Sequence, residues 1–146
     1  MNDNDKLAKK CSEVMHTNDK AAQMLGIKIL TSTPGYAELC MTVREEFSNG
    51  HDICHGGILF TLADTAFAHA CNNSNQNTVA SGASIQFLAP GKVGDVLTAV
   101  AYERSRGGKT GVYDIEIKNQ LSTTVALFRG NSYQIKGQLI ATGDIS

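Results

Sequence analysis

A short span of this chain holds the residue types that act on carbonyl carbon. Asn49 carries an amide able to donate a hydrogen bond, His55-Gly56-Gly57 follows six residues on, and Asp64 lies eight residues beyond Gly56. From Ile58 to Ala68 the chain is apolar apart from Thr61, Asp64 and Thr65, so a polar, glycine-bearing loop runs straight into a helix predicted over 56–71. The first N–H groups of a helix have no partners inside it and stand at the positive end of its dipole. Such an end can hold a negative charge that develops during a reaction. Asp64 falls about two turns further in, where an unpaired charge is costly. Taken singly, each feature has an ordinary reading: the glycines as a tight turn, Asn49 bonded only to its own backbone, Asp64 held by a hydrogen bond.

The remaining elements have to place that helix. Leu7, Cys11, Val14 and Met15, then Met24 and Leu25, recur at helical spacing, with a break near Thr17-Asn18-Asp19 and a stop at Gly26. This divides the chain into a helical segment over 1–18, frayed at its start, and one domain over 19–146. Pro34-Gly35 sets a turn between extended segments 27–32 and 36–43, and Ala37, Leu39, Met41 and Val43 share a face. The run Asn72 to Asn77 has the chemistry of a polar loop. Strands are predicted over 79–88, 96–105, 109–119 and 123–135, the third alternating most clearly, with Tyr113, Ile115 and Ile117 opposite Asp114, Glu116 and Lys118. Helix, hairpin, long helix and consecutive strands imply an α+β fold with a mainly antiparallel sheet. A helix apolar nearly all round must be enclosed, and a curved sheet wrapped around it does this.

Composition narrows the function classes. With 146 residues, a net charge of −1 and four cysteines in no paired spacing, the chain suits one reduced, unstapled domain. No apolar stretch reaches membrane length and no basic surface suits nucleic acid, so neither partner is expected. The start of the chain lacks an apolar signal segment, which makes the cytoplasm the expected home. His51, Cys54 and His55 could suggest zinc, but they lie on a loop without a fourth ligand, and no metal or cofactor is expected. Gly108-Lys109-Thr110 echoes a phosphate loop, yet Glu103 stands where that motif needs glycine.

The spacing Asn-x5-His-Gly-Gly-x6-Asp resembles the active-site segment of hotdog-fold acyl-CoA thioesterases. Together with Phe87-Leu-Ala-Pro-Gly91, Thr110-Gly-Val-Tyr-Asp-Ile-Glu-Ile117 and Val125-Ala-Leu-Phe-Arg-Gly130, it is similar to the phenylacetic-acid-degradation thioesterases over 19–137. The resemblance implies hydrolysis of phenylacetyl-CoA or hydroxyphenylacetyl-CoA. Gly56 would donate its N–H to the oxyanion, Asn49 would orient the carbonyl or the water, and Asp64 would act as general base or nucleophile. Gly57 would allow close approach of substrate, and His55 would support Asn49 or cap the helix. Ala68 stands where some relatives place a hydroxyl one turn after the carboxylate; other relatives present a serine from the strand after the helix, where Ala80 aligns, and Ser81 beside it is a candidate for positioning water. Arg104, Arg106 and Lys109 form the densest basic turn for the phosphates of coenzyme A, with Lys92 and Arg129 as weaker additions.

Gly56 and Asp64 are separated by about 12 Å of helical rise, too far to engage one carbonyl from a single chain. The family resolves this with sites shared across a homodimer, and dimers of this kind commonly pair into homotetramers. Two other readings stay open: a hotdog hydratase or dehydratase, which would pair Asp64 with a histidine such as His69, and a non-catalytic acyl-CoA-binding protein. Against the first, His69 projects roughly 140° round the helix from Asp64. Against the second, a binding tunnel has no use for a desolvated carboxylate.

Overall fold

The computed structural model describes residues 1–141. Helices α1 (Asp3–Asn18) and α2 (Lys20–Met24) lead into strands β1 (Lys28–Thr33) and β2 (Tyr36–Thr42). A 3-10 turn at Glu45–Phe47 precedes the long helix α3 (Gly56–Asn72). Strands β3 (Thr78–Phe87), β4 (Val96–Gly107), β5 (Thr110–Lys118) and β6 (Thr124–Gln134) complete the chain. The sheet has the order β1-β2-β4-β5-β6-β3, with every neighbouring pair antiparallel. Helix α1 extends closer to the start than the frayed segment expected from sequence, because the Asn2 carboxamide oxygen accepts the Asp5 N–H at 2.8 Å and caps it.

Alternation puts one face of each inner strand against α3. Ala37, Leu39, Met41 and Val43 are buried, as are Leu97, Ala99 and Ala101 on β4 and Tyr113, Ile115 and Ile117 on β5. Small side chains recur where helix and sheet meet, with Ala63, Ala66 and Ala70 on the helix and Ala99, Ala101 and Ala126 on the strands, among larger ones such as Leu59, Leu62, Leu97 and Ile115. Phe67 is the bulkiest of the helix residues buried there. It packs against the rings of Tyr113 and Phe128 at 5.5 and 6.0 Å, and Gly130 passes over it so closely that an added Cβ would meet the ring at 2.7 Å.

The C-terminal end of α3 is tied by buried amides. Asn73 donates to the Thr33 and Tyr36 carbonyls at 2.7 and 3.0 Å and to Ser32 Oγ at 3.1 Å, while its oxygen accepts the Gly35 N–H at 3.1 Å. Asn72 bonds Thr78 through both its N–H and its carbonyl, and Asn75 bonds Ile140 in the same two ways. The run read as a polar loop does connect α3 to β3, and its amides go further than a turn requires, since Asn72, Asn73 and Asn75 are buried and satisfy backbone groups that the sheet leaves open. His69, on the same end, is buried with Nδ1 2.8 Å from Ser12 Oγ on α1, and burial lowers its pKa to about 4.

Phe67 is confined on all sides, so Gly130→Ala should overpack it and destabilise the fold by about 1–3 kcal/mol. Urea denaturation checks this. An unchanged midpoint would mean that the ring can move aside.

Candidate active site

Two backbone clamps bring the N-terminus of α3 against the end of β3. The loop before the helix is fixed where Cys54 N–H donates to Gly91 O at 2.7 Å and His55 N–H to Phe47 O at 2.8 Å, with a bridge between Ile53 and Lys92. Beyond β3, the N–H groups of Leu88 and Ala89 both reach the Val125 carbonyl, at 2.9 and 3.2 Å. Between these segments lies an open cleft of about 630 Å³ lined by Asn49, Ile53, Gly56, Leu59, Phe87 and Leu88, among others.

The first turn of α3 separates two adjacent N–H groups. His55 is the N-cap, and its Nδ1 accepts the Gly57 N–H at 3.1 Å. That bond fixes Nδ1 as the unprotonated nitrogen. The Gly56 N–H has no acceptor among the described residues. It is left at the positive end of a 17-residue helix, beside an apolar cleft. Gly56 also lacks room for a side chain, since a Cβ there would stand 3.0 Å from Phe87 Cζ.

Asn49 lies in the same cleft. Its carboxamide oxygen accepts the His51 N–H at 2.9 Å and closes a local turn, which leaves the amide N–H₂ without an acceptor among the described residues. The residue thus combines a local structural bond with a free donor.

Asp64 is half-buried, and no hydrogen-bond donor reaches it among the described residues. Burial raises its pKa above the ordinary value, and the nearby Asp19 carboxylate raises it further. Asp64 is not part of the Gly56 cleft of its own chain. Thr65, adjacent to it, is buried and spends its one hydroxyl proton on the Thr61 carbonyl at 2.7 Å.

The remaining candidates lie elsewhere. Ser81 occupies an irregularity in β3 and donates to the Asn131 carbonyl at 3.2 Å, beside the β4–β5 turn and away from Gly56. The basic turn is divided by an irregularity between Glu103 and Ser105. Arg104 turns to Asp114, 3.3 Å away, while Arg106 and Lys109 line a small recess with Cys71 at the far end of α3. Arg129 is held by two bonds to Asp114 at 2.7 and 2.8 Å. No three His, Cys, Asp or Glu side chains are grouped to hold a metal, and no helix is long and apolar enough to cross a membrane, among the described residues.

The family model described as thioesterase superfamily matches residues 51–126, which include Gly56, Asp64 and strands β3, β4 and β5. The acyl-coenzyme A thioesterase PaaI of Escherichia coli (strain K12) is 53% identical over 128 residues, covering 88% of this chain and 91% of that protein. The chain belongs to the thioesterase superfamily. Its fold is the hotdog fold, and it is an enzyme of that family. The solved structure of the E. coli PaaI protein from the phenylacetic acid degradation operon superposes with a TM-score of 0.91 at 51% identity, over 92% of this chain and 98% of that one. A hypothetical thioesterase protein from Streptococcus pneumoniae TIGR4, solved with coenzyme A, gives 0.78 at 27% identity, over 86% and 97% of the two chains.

Two features of this thioesterase escape the sequence reading. Asp19 is distant in sequence from Asp64 and looks like an ordinary helix cap, which it also is, accepting the Ala22 N–H at 3.0 Å. Phe87 sits in a recognisable run, but only its position over Gly56 gives it a place at the site.

A carboxyl whose pKa is raised by folding is favoured in its neutral form there. Ionised Asp64 therefore opposes folding at neutral pH, and the penalty fades as pH falls from the raised native value to the ordinary carboxylate value, below which it is gone. Asp64→Asn should fold at least as stably as the wild type at neutral pH, with the difference closing as pH falls towards about 4. It should also lower kcat by roughly 10²–10⁴-fold with substrate binding near normal, and the acid limb of the wild-type rate should lie above the ordinary carboxylate range. Urea denaturation and a pH–rate profile check both parts. An undiminished kcat removes Asp64 from the chemistry, and loss of folding makes it structural.

Proposed function

We propose that this thioesterase hydrolyses small arylacetyl-CoA thioesters, phenylacetyl-CoA or hydroxyphenylacetyl-CoA, to the free acid and coenzyme A. The observation that carries this reading is the unbonded Gly56 N–H facing an apolar cleft at the start of α3. The acyl-CoA thioesterase named among its relatives supports the substrate class. A carbonyl oxygen on the Gly56 N–H is polarised, and the oxyanion of the tetrahedral intermediate gains the helix end as well. The Asn49 amide orients the carbonyl or the attacking water. Gly57, with its N–H taken by His55, leaves space along the entry path, and His55 positions the turn.

Asp64 of a second subunit supplies the carboxylate. Support comes from its absence from the cleft of its own chain and from β3, a ten-residue edge strand exposed along most of its length. An unpaired edge of that length invites strand pairing. Two copies joined there, with α3 helices antiparallel, form a homodimer with two sites, and pairing of dimers gives a homotetramer. The elevated pKa suits a general base, taking a proton from water as its oxygen attacks the carbonyl carbon and thiolate leaves. Direct attack by the carboxylate, forming a mixed anhydride that water then opens, uses the same groups. The cytoplasm supplies such substrates.

In such a pair, Arg106 and Lys109 of the subunit giving Asp64 lie about 10 Å of helical rise beyond that carboxylate. Coenzyme A phosphates reach such a distance from their thioester. Arg104, engaged by Asp114, contributes less. Ser81 borders the same turn and is within reach of the coenzyme A arm rather than of the reacting water. The hydratase reading is weakened because His69 is turned to Ser12 on α1.

Two experiments separate these elements. Thiol release should be fastest with arylacetyl-CoA among aryl, short-chain and long-chain thioesters, and mixing inactive Gly56→Pro and Asp64→Asn subunits should restore activity in heterodimers with one intact site. Verified heterodimers that stay inactive would show that each chain carries a complete site. Arg106→Gln with Lys109→Gln should raise KM for a CoA thioester and weaken its salt dependence, while scarcely affecting a pantetheine thioester or kcat. Equal losses on both substrates would exclude phosphate recognition.

A further inference from the structure

Phe87 is a large apolar side chain left 54% exposed, although the backbone on either side of it is fixed. It closes β3 opposite Ala126, and the next two residues are clamped to Val125 O. Ile85, two residues earlier and so on the same face, packs against the core. Phe87 thus points to the helix side of the sheet. Its ring lies against Gly56, with Cζ, Cε1 and Cε2 at 3.0, 3.3 and 3.6 Å from where a Cβ would stand. The neighbouring walls are Ile53, Leu59, Leu88 and Pro90, and Asn49 is the polar side chain among these lining residues.

We infer that Phe87 selects the acyl group, providing the aromatic wall against which the ring of an arylacetyl thioester packs while its carbonyl sits on Gly56. This rests on the thioesterase reading of the cleft and specifies its substrate side. A rigid ring beside the oxyanion donor offers edge or offset contacts to a second ring. It also limits depth. A flexible alkyl chain gains no such contact and has to fold back or pass the ring, so Phe87 is a specificity-determining residue, separate from the groups that move protons.

Binding of two non-hydrolysable CoA thioether ketones tests this without turnover: one ending in a benzyl group, the other in a decyl chain. Isothermal titration of wild type should favour the benzyl probe. Phe87→Ala should weaken that probe roughly 10- to 30-fold and leave the decyl probe within about 3-fold or tighter, while Phe87→Leu, which keeps much of the volume, should weaken the benzyl probe by roughly 3- to 10-fold. Should the alanine variant fail to fold, the leucine variant carries the test. Parallel losses on both probes, an unchanged benzyl affinity, or a wild type that binds neither probe would overturn the inference. A wild type that binds the benzyl probe selectively but hydrolyses no thioester would refute the thioesterase reading and leave this one standing.

Discussion

Close approach of one helix to a curved sheet governs this molecule. Ala63, Ala66 and Ala70 on the helix and Ala99, Ala101 and Ala126 on the strands are packed into one core with Leu59, Leu62, Leu39, Leu97 and Ile115, and the ring of Phe67 is matched by the missing side chain of Gly130. Dense packing of this kind permits few alternative axis positions, because displacement would either open a void or overlap atoms. Everything attached to the helix inherits that placement. The first N–H groups emerge at one end of the sheet, and the carboxylate emerges partway along the side that this chain does not cover.

Electrostatic order at the site follows from the same packing. The helix end would lose its use as an anion holder if its own loop satisfied every N–H, and the N-cap satisfies the second glycine while sparing the first. Conversely, Asp64 would be an ordinary surface acid if it were fully solvated. Partial burial and the nearby Asp19 raise its affinity for protons, which places a base of increased strength on an otherwise apolar face. Both polar features are half-buried, neither fully solvated nor sealed in the core.

Alternation made the inner strands legible: every second residue of 37–43 and 113–117 is buried as its pattern requires. Glycine and proline at the turns, and the apolar run after His55, marked the helix and hairpin limits within a residue or two. The unbonded N–H of Gly56 and the His55 cap could be read because helix starts have a fixed geometry. What stayed hidden depends on contacts between distant segments. Composition could not show that Asn73 reaches across to the β1–β2 turn, nor that an irregularity in β4 sends Arg104 and Arg106 to different surroundings. The influence of Asp19 on Asp64 likewise arises only when α1, which Asp19 ends, packs on α3, since nothing in their sequence spacing couples them.

The two ends of α3 are fastened differently but equally firmly, one by Asn73 to the β1–β2 hairpin and the other by the clamped loop before His55. The helix consequently acts as a ruler between the unbonded Gly56 N–H and the Asp64 carboxylate. Adding or removing one residue between Gly56 and Asp64 would turn the carboxylate by about 100° and, with the helix unable to slide, leave no way to restore its direction. In a two-fold assembly the same lesion strikes both sites at once. Descendants of this chain are therefore free to change length in the exposed turns, whereas the span from Gly56 to Asp64 has to keep its residue count.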